Sequence, residues 1–204
     1  MKNSHPKLLS TLLLVLSVFI FSCEKDDPVP EIDQELITEL NLVFEEVTES
    51  GNVVPNSRFE VTAKDAEGIS LGSSPQIEDI VSLVPGKTYQ LSIELYNDIA
   101  DEDMTEEIAH HGDEHQFYFL GSAFVGNAAF LEYSYLDEDE NGKPIGLKGL
   151  VTVDEAVSTG SFRVVLRHGL NKAFNGADQP NLENYETAGG ESDLDITFQV
   201  KFNR

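Results

Sequence analysis

Hydrophobicity in this chain alternates with a period of two. Leu36, Leu40, Leu42 and Phe44 share one parity, and Phe59, Val61 and Ala63 alternate with Glu60, Thr62 and Lys64. Tyr89, Leu91, Ile93 and Leu95 alternate with Gln90, Ser92, Glu94 and Tyr96. Further along, Phe162, Val164 and Leu166 alternate with Arg163, Val165 and Arg167. Leu194, Ile196, Phe198, Val200 and Phe202 alternate with Asp193, Asp195, Thr197, Gln199 and Lys201. Successive side chains of a strand point to opposite faces, so each run predicts a strand with one face in a core and one in water. Shorter strands are predicted at 79–84, 115–120, 130–136 and 147–153.

Turn formers separate these runs: Glu67-Gly68, Pro85-Gly86-Lys87, Asn141-Gly142, Thr159-Gly160 and Gly189-Gly190. The pattern predicts an all-β fold, an antiparallel β-sandwich of Ig-like architecture forming one domain over 35–204. Strand–helix alternation is missing, which argues against a doubly wound sheet. One short helix is expected around 104–110, with acids at its start and histidines at its end. Lys172 to Ala188 is long, polar and Asn-rich, and reads as a surface loop.

The N-terminal segment carries an address. Lys2 and Lys7 precede an apolar run from Leu8 to Phe21, followed by Ile20-Phe21-Ser22-Cys23. An aliphatic residue three before a cysteine, with a small residue just before it, matches the lipobox of bacterial lipoproteins; Phe21 is larger than the usual occupant of its slot. Residues 1–22 therefore read as a signal peptide and Cys23 as the acylated N-terminus, with the lipid bilayer as its partner. The apolar run is too short for a membrane span of roughly 20 residues. Residues 23–34 read as an acidic, Pro-containing linker. Its Glu24-Lys25-Asp26-Asp27 is similar to the charged export signal of surface lipoproteins in Bacteroidota-type envelopes. The expected location is the outer membrane, on the cell surface, with an inward-facing position as the alternative.

Charge and residue inventory exclude several activities. The chain has 13 Lys+Arg against 37 Asp+Glu, a formal charge of -24. Loss of Lys2 and Lys7 with the signal peptide would take this to -26. Nucleic acid is not an expected partner, since no basic face exists to displace counterions from phosphates. A single cysteine allows no internal disulfide and no Cys-rich zinc site. No Gly-x-Ser-x-Gly motif or phosphate-binding glycine loop is present. The chain is read as a non-enzyme.

Two clusters could carry binding chemistry. His115 shares parity with Phe117 and Phe119, and His168 with Phe162, Val164 and Leu166, so both imidazoles are expected on core-facing lines at strand ends. Asp113, Glu114 and Glu107 are nearby oxygen donors. Imidazole plus carboxylate suits Zn²⁺, and also Cu²⁺ or Ni²⁺. The competing reading makes the two histidines hydrogen-bonded rim residues and His110-His111 a solvated turn. The second cluster, Asp137-Glu138-Asp139-Glu140-Asn141-Gly142, copies the first half of a calcium loop, with Asp137, Asp139 and Asn141 as oxygen donors. Lys148 stands where the bidentate glutamate of such a loop belongs, so an acidic hairpin tip is the better reading.

Several pieces occur in order: Glu106-Glu107, Asp113-Glu114-His115-Gln116, Asp137 to Gly146, Leu166-Arg167-His168 with Lys172, and Gly189-Gly190-Glu191-x-Asp193. Together they resemble a family of small envelope lipoproteins of Bacteroidota-type bacteria, over roughly 35–202. Relatives are sometimes labelled as having a type 1 periplasmic-binding fold, a label that the missing strand–helix units do not support. The resemblance implies an envelope lipoprotein working beside a TonB-dependent outer-membrane transporter. The expected function is capture of a transition metal for that transporter. The alternative is a structural or carbohydrate-binding adhesion module without a metal site.

Overall fold

The computed structural model describes residues 35–70, 72–155 and 159–202. The signal peptide, Cys23 and the linker read from the sequence lie outside the described residues. The chain runs through β1 (Glu39–Val47), β2 (Phe59–Lys64), β3 (Gln76–Ile77), β4 (Val81–Leu83), β5 (Thr88–Asn97) and β6 (Glu102–Asp103). There follow α1 (Met104–His110), β7 (His115–Leu120), β8 (Leu131–Tyr135), β9 (Lys148–Val153), β10 (Gly160–His168) and β11 (Glu191–Phe202). One sheet has the order β3-β2-β1-β5-β9-β8 with β6 added to β5; the other has the order β4-β11-β10-β7. All-β architecture in two layers is the outcome that the period-two pattern predicts.

Alternation decides what meets between the sheets. Leu40, Leu42 and Phe44 of β1 and Leu91, Ile93 and Leu95 of β5 join Phe162, Val164 and Leu166 of β10 and Leu194, Ile196 and Phe198 of β11 in one buried cluster. The rings of Phe44 and Phe162 meet edge to face across the interface, 6.1 Å between centroids. Full burial of each such side chain contributes roughly 1.5–3 kcal/mol. Helix α1 starts where expected because the Asp103 side chain accepts a hydrogen bond from the Thr105 amide at 2.9 Å.

Four local expectations are corrected. Strand β1 begins at Glu39, so Leu36 lies ahead of it and is exposed, while Ile37 is buried. The β4–β11 pairing is parallel, in an otherwise antiparallel sandwich. Segment Lys172–Ala188 is not a bare surface loop: it contains a 3-10 turn, Tyr185–Ala188, which packs Tyr185 and Ala188 with Leu170 against Tyr118, Leu120 and Val165. That second small core covers the outer face of β7 and β10, so Val165 does not face water and all six residues of β7 are buried. Finally, Asp193 is not on the solvent face of β11. Leu166 pairs with Leu194 but Arg167 pairs with Ser192, which leaves Asp193 as an extra residue in a β-bulge. A bulge puts two consecutive side chains on one face, and Asp193 and Leu194 are both buried.

Candidate metal centre

β7 and β10 end side by side, with His115 directly opposite His168. Their rings stack at 4.4 Å between centroids. The bulge in β11 delivers Asp193 to the same place. Asp193 Oδ2 lies 3.6 Å from His168 Nδ1 and 3.9 Å from His115 Nε2. Glu35, just ahead of β1, closes the group. Its backbone amide donates to Asp193 Oδ1 at 3.3 Å, and one ligand atom from each of Glu35, His115 and His168 falls within 4.8 Å of the others.

The unpaired atoms of this group are of a kind that could hold a cation. His115 Nδ1 stands 2.9 Å from the carbonyl oxygen of His111, which can only accept, so Nδ1 is assigned as the donor. In the neutral ring Nε2 then carries a bare lone pair, and it faces a carboxylate oxygen. Among the described residues, five buried side-chain polar atoms lack a hydrogen-bond partner, and three of them are His115 Nε2, His168 Nδ1 and Asp193 Oδ2. Buried polar groups are seldom left unpaired, at about 1–3 kcal/mol each. Ligands about 2.0–2.2 Å from a tetrahedral ion lie roughly 3.3–3.5 Å apart; the Asp193 contacts of 3.6 and 3.9 Å come near this, while the group of Glu35, His115 and His168 spans up to 4.8 Å. A backbone carbonyl fixing the far nitrogen of a ligating histidine is the usual support for a metal site.

Burial sets the charges. The Asp193 carboxyl is raised to about 6, chiefly by burial and against the pull of His168. Burial pushes the His115 imidazole down and the Glu35 carboxyl up. The apo site thus holds groups that resist becoming charged, a cost that a bound dication would relieve.

The structure places the sequence-nominated residues unequally. His115 and His168 converge as parity requires. Glu114 reaches the rim, its Oε2 3.5 Å from His168 Nε2. Glu107 is committed to His111 Nδ1 at 2.9 Å, one turn along α1. Asp113 is exposed and acts electrostatically on Lys172. Asp193 and Glu35 are the candidate ligands missed from the sequence. Alternation put Asp193 in water, and Glu35 carries no distinguishing motif; the Gly189-Gly190 pair ahead of Asp193 is the one signal of an irregular strand.

The acidic hairpin spends its oxygens on backbone. Asp137 accepts from the amides of Gly146 at 2.8 Å and Lys148 at 3.1 Å. Asp139 accepts from the amides of Asn141 and Lys143 and from Lys172 Nζ at 2.9 Å. Asn141 sits in the turn, where Gly142 adopts φ 69°. Lys172, buried, also donates to the carbonyls of Gly112 and His115. It pins the outer segment to the loop that carries the first histidine.

No family model, curated protein or solved structure matches the chain. Among the described residues, no helix is long and apolar enough to cross a membrane.

Proposed function

We propose that this chain is an outer-membrane lipoprotein, displayed at the cell surface through acylated Cys23, that captures a divalent transition metal and passes it to a TonB-dependent transporter. The ligands are His115, His168, Asp193 and Glu35, with Glu114 at the rim. What supports this reading is the convergence of three buried atoms without hydrogen-bond partners on one point between β7, β10 and β11. Two imidazoles and two carboxylates favour Zn²⁺, with Cu²⁺ and Ni²⁺ as competitors, and offer no thiolate to a soft Cu(I). Four protein ligands fill a tetrahedral ion and leave it no open position for catalysis, which fits a carrier better than an enzyme.

Calorimetric titration of the full chain in detergent with Zn²⁺ tests the proposal. One site with a dissociation constant on the order of micromolar or tighter is expected. Absence of binding, or binding unchanged in the His115→Ala, His168→Ala double variant, defeats it.

A further inference from the structure

The four proposed ligands differ sharply in their access to water. The side chains of His115 and Asp193 are 1% and 0% exposed, and that of His168 12%. Glu35 is only half-buried, and it stands in the wall of an open cleft of about 620 Å³ beside α1. The other charged walls of that cleft are Glu102, Asp103, Glu106 and Glu107, with His110. Two of these carboxylates are held in place by the helix: Asp103 caps it, and Glu107 pairs with His111. A smaller opening of about 220 Å³ also touches Glu35 and Asp193, but its remaining wall is Leu36, Ile37, Ile69 and other weakly polar residues, with Glu67 as the one further charge.

We infer that the cleft between Glu35 and α1 is the port through which the site exchanges its ion, and that it takes an aquated divalent cation rather than a metal chelate. This rests on the metal-binding reading above. Five carboxylates around one cleft focus a field that concentrates dications and repels anionic complexes such as carboxylate or catecholate chelates. The cleft offers such a complex no lysine or arginine. Glu35 is the hinge of the exchange. It belongs to both the cleft and the ligand group, so an ion attracted by Glu102 and Glu106 meets Glu35 first and then trades its remaining waters for the two imidazoles and Asp193. Release runs the same path in reverse, with Glu35 the last ligand to let go.

Stopped-flow loading of the full chain in detergent with Co²⁺, read by its visible d–d bands, separates the possibilities. The variant Glu102→Gln, Glu106→Gln removes two cleft charges that are not ligands. Its association rate is expected to fall about fivefold at low ionic strength, with the dissociation rate into excess chelator unchanged. The difference should vanish in about 1 M salt, where the screening length is near 3 Å. Glu35→Gln should instead speed dissociation. Co²⁺ supplied in excess citrate, a weaker anionic chelator, should load no faster as the complex is made more concentrated at fixed free Co²⁺. Equal association rates for the wild type and the double variant at low salt overturn the port. So does loading that is first order in the complex. A wild-type chain that develops no d–d bands at all sinks the metal site itself, a different failure from that of the port.

Discussion

Asp193 Oδ2 and His168 Nδ1 stand 3.6 Å apart, both buried and neither hydrogen-bonded. The pair exists because one extra residue in β11 turns Asp193 inward beside Leu194. The bulge, not the alternating pattern around it, puts a carboxylate within reach of two imidazoles.

Asp193→Ala is expected to weaken Zn²⁺ binding by about 100-fold or more, since losing even an outer partner of a ligand costs about 10–100-fold. Asp113→Ala should leave affinity within about twofold, because Asp113 lies exposed outside the ligand group. Competition against a chromogenic chelator measures both. Comparable losses in the two variants would contradict the placement of Asp193.

The apo protein should show an unusual pH dependence at this residue. The Asp193 carboxyl sits near 6 in the fold, raised by burial, against about 3.9 when unfolded. A carboxyl raised on folding stabilises while protonated: its contribution is complete below about pH 4 and is lost as pH climbs through 6. In the presence of EDTA, Asp193→Asn is therefore expected to be more stable than the wild type at pH 7.5, with the gap closing towards pH 4. His115 is shifted downward by burial, so its contribution holds above about 6.5 and fades as pH falls; it is common to both chains. Urea melts across this range decide the matter, and a gap independent of pH would refute it.

Lys172 joins three acceptors: the carbonyl of Gly112 in the turn before β7, that of His115 at the start of β7, and Asp139 in the acidic hairpin. Burial drives its ammonium pKa down and the contact with Asp139 pulls the other way. Lys172→Met strands Asp139 Oδ2 and two carbonyls without this donor, and a loss of about 3–5 kcal/mol is expected. Adding Asp139→Asn should recover part of it. Denaturant unfolding of the single and double variants checks both numbers; a loss below about 1 kcal/mol for Lys172→Met would mean that water replaces the ammonium.

Gly190 takes φ 72°, and a Cβ there would overlap the carbonyl oxygen of His168 and the amide of Leu170. Gly189 takes φ 83° with nothing within 4 Å of its added Cβ. Gly189→Ala should cost only the strain of its backbone, whose ψ of -166° at positive φ is a conformation open essentially to glycine, about 1–3 kcal/mol. Gly190→Ala should cost more than that and weaken metal binding, because it displaces the end of β10 that carries His168. Thermal melts with and without Zn²⁺ distinguish the two variants.

Most of the architecture was legible because a single rule, burial of alternate side chains, governs β1, β2, β5, β10 and β11. The same rule correctly put His115 and His168 inward. It failed where local geometry overrides period two. Asp193 changes face through a register shift that needs both strands to be seen together. Val165 looked solvent-facing until Tyr185 and Ala188, some twenty residues on in a polar stretch, folded back over it. Glu35 joins the candidate site from a position just outside β1, where no periodicity constrains it. Asp113 and Glu107 were attractive by proximity in sequence, yet Asp113 faces solvent and the geometry of α1 points Glu107 at His111.

Glu35 and Asp193, whose backbone and side chain are bonded, lie 158 residues apart in sequence. The proposed four-residue ion site is therefore complete only when both ends of the sandwich are in place. With β11 not docked on β10, Glu35 and the two histidines lack the bulge carboxylate and the clasp between Asp193 and the Glu35 amide. Under the proposed role, a partly folded chain would hold an ion less tightly than the finished domain.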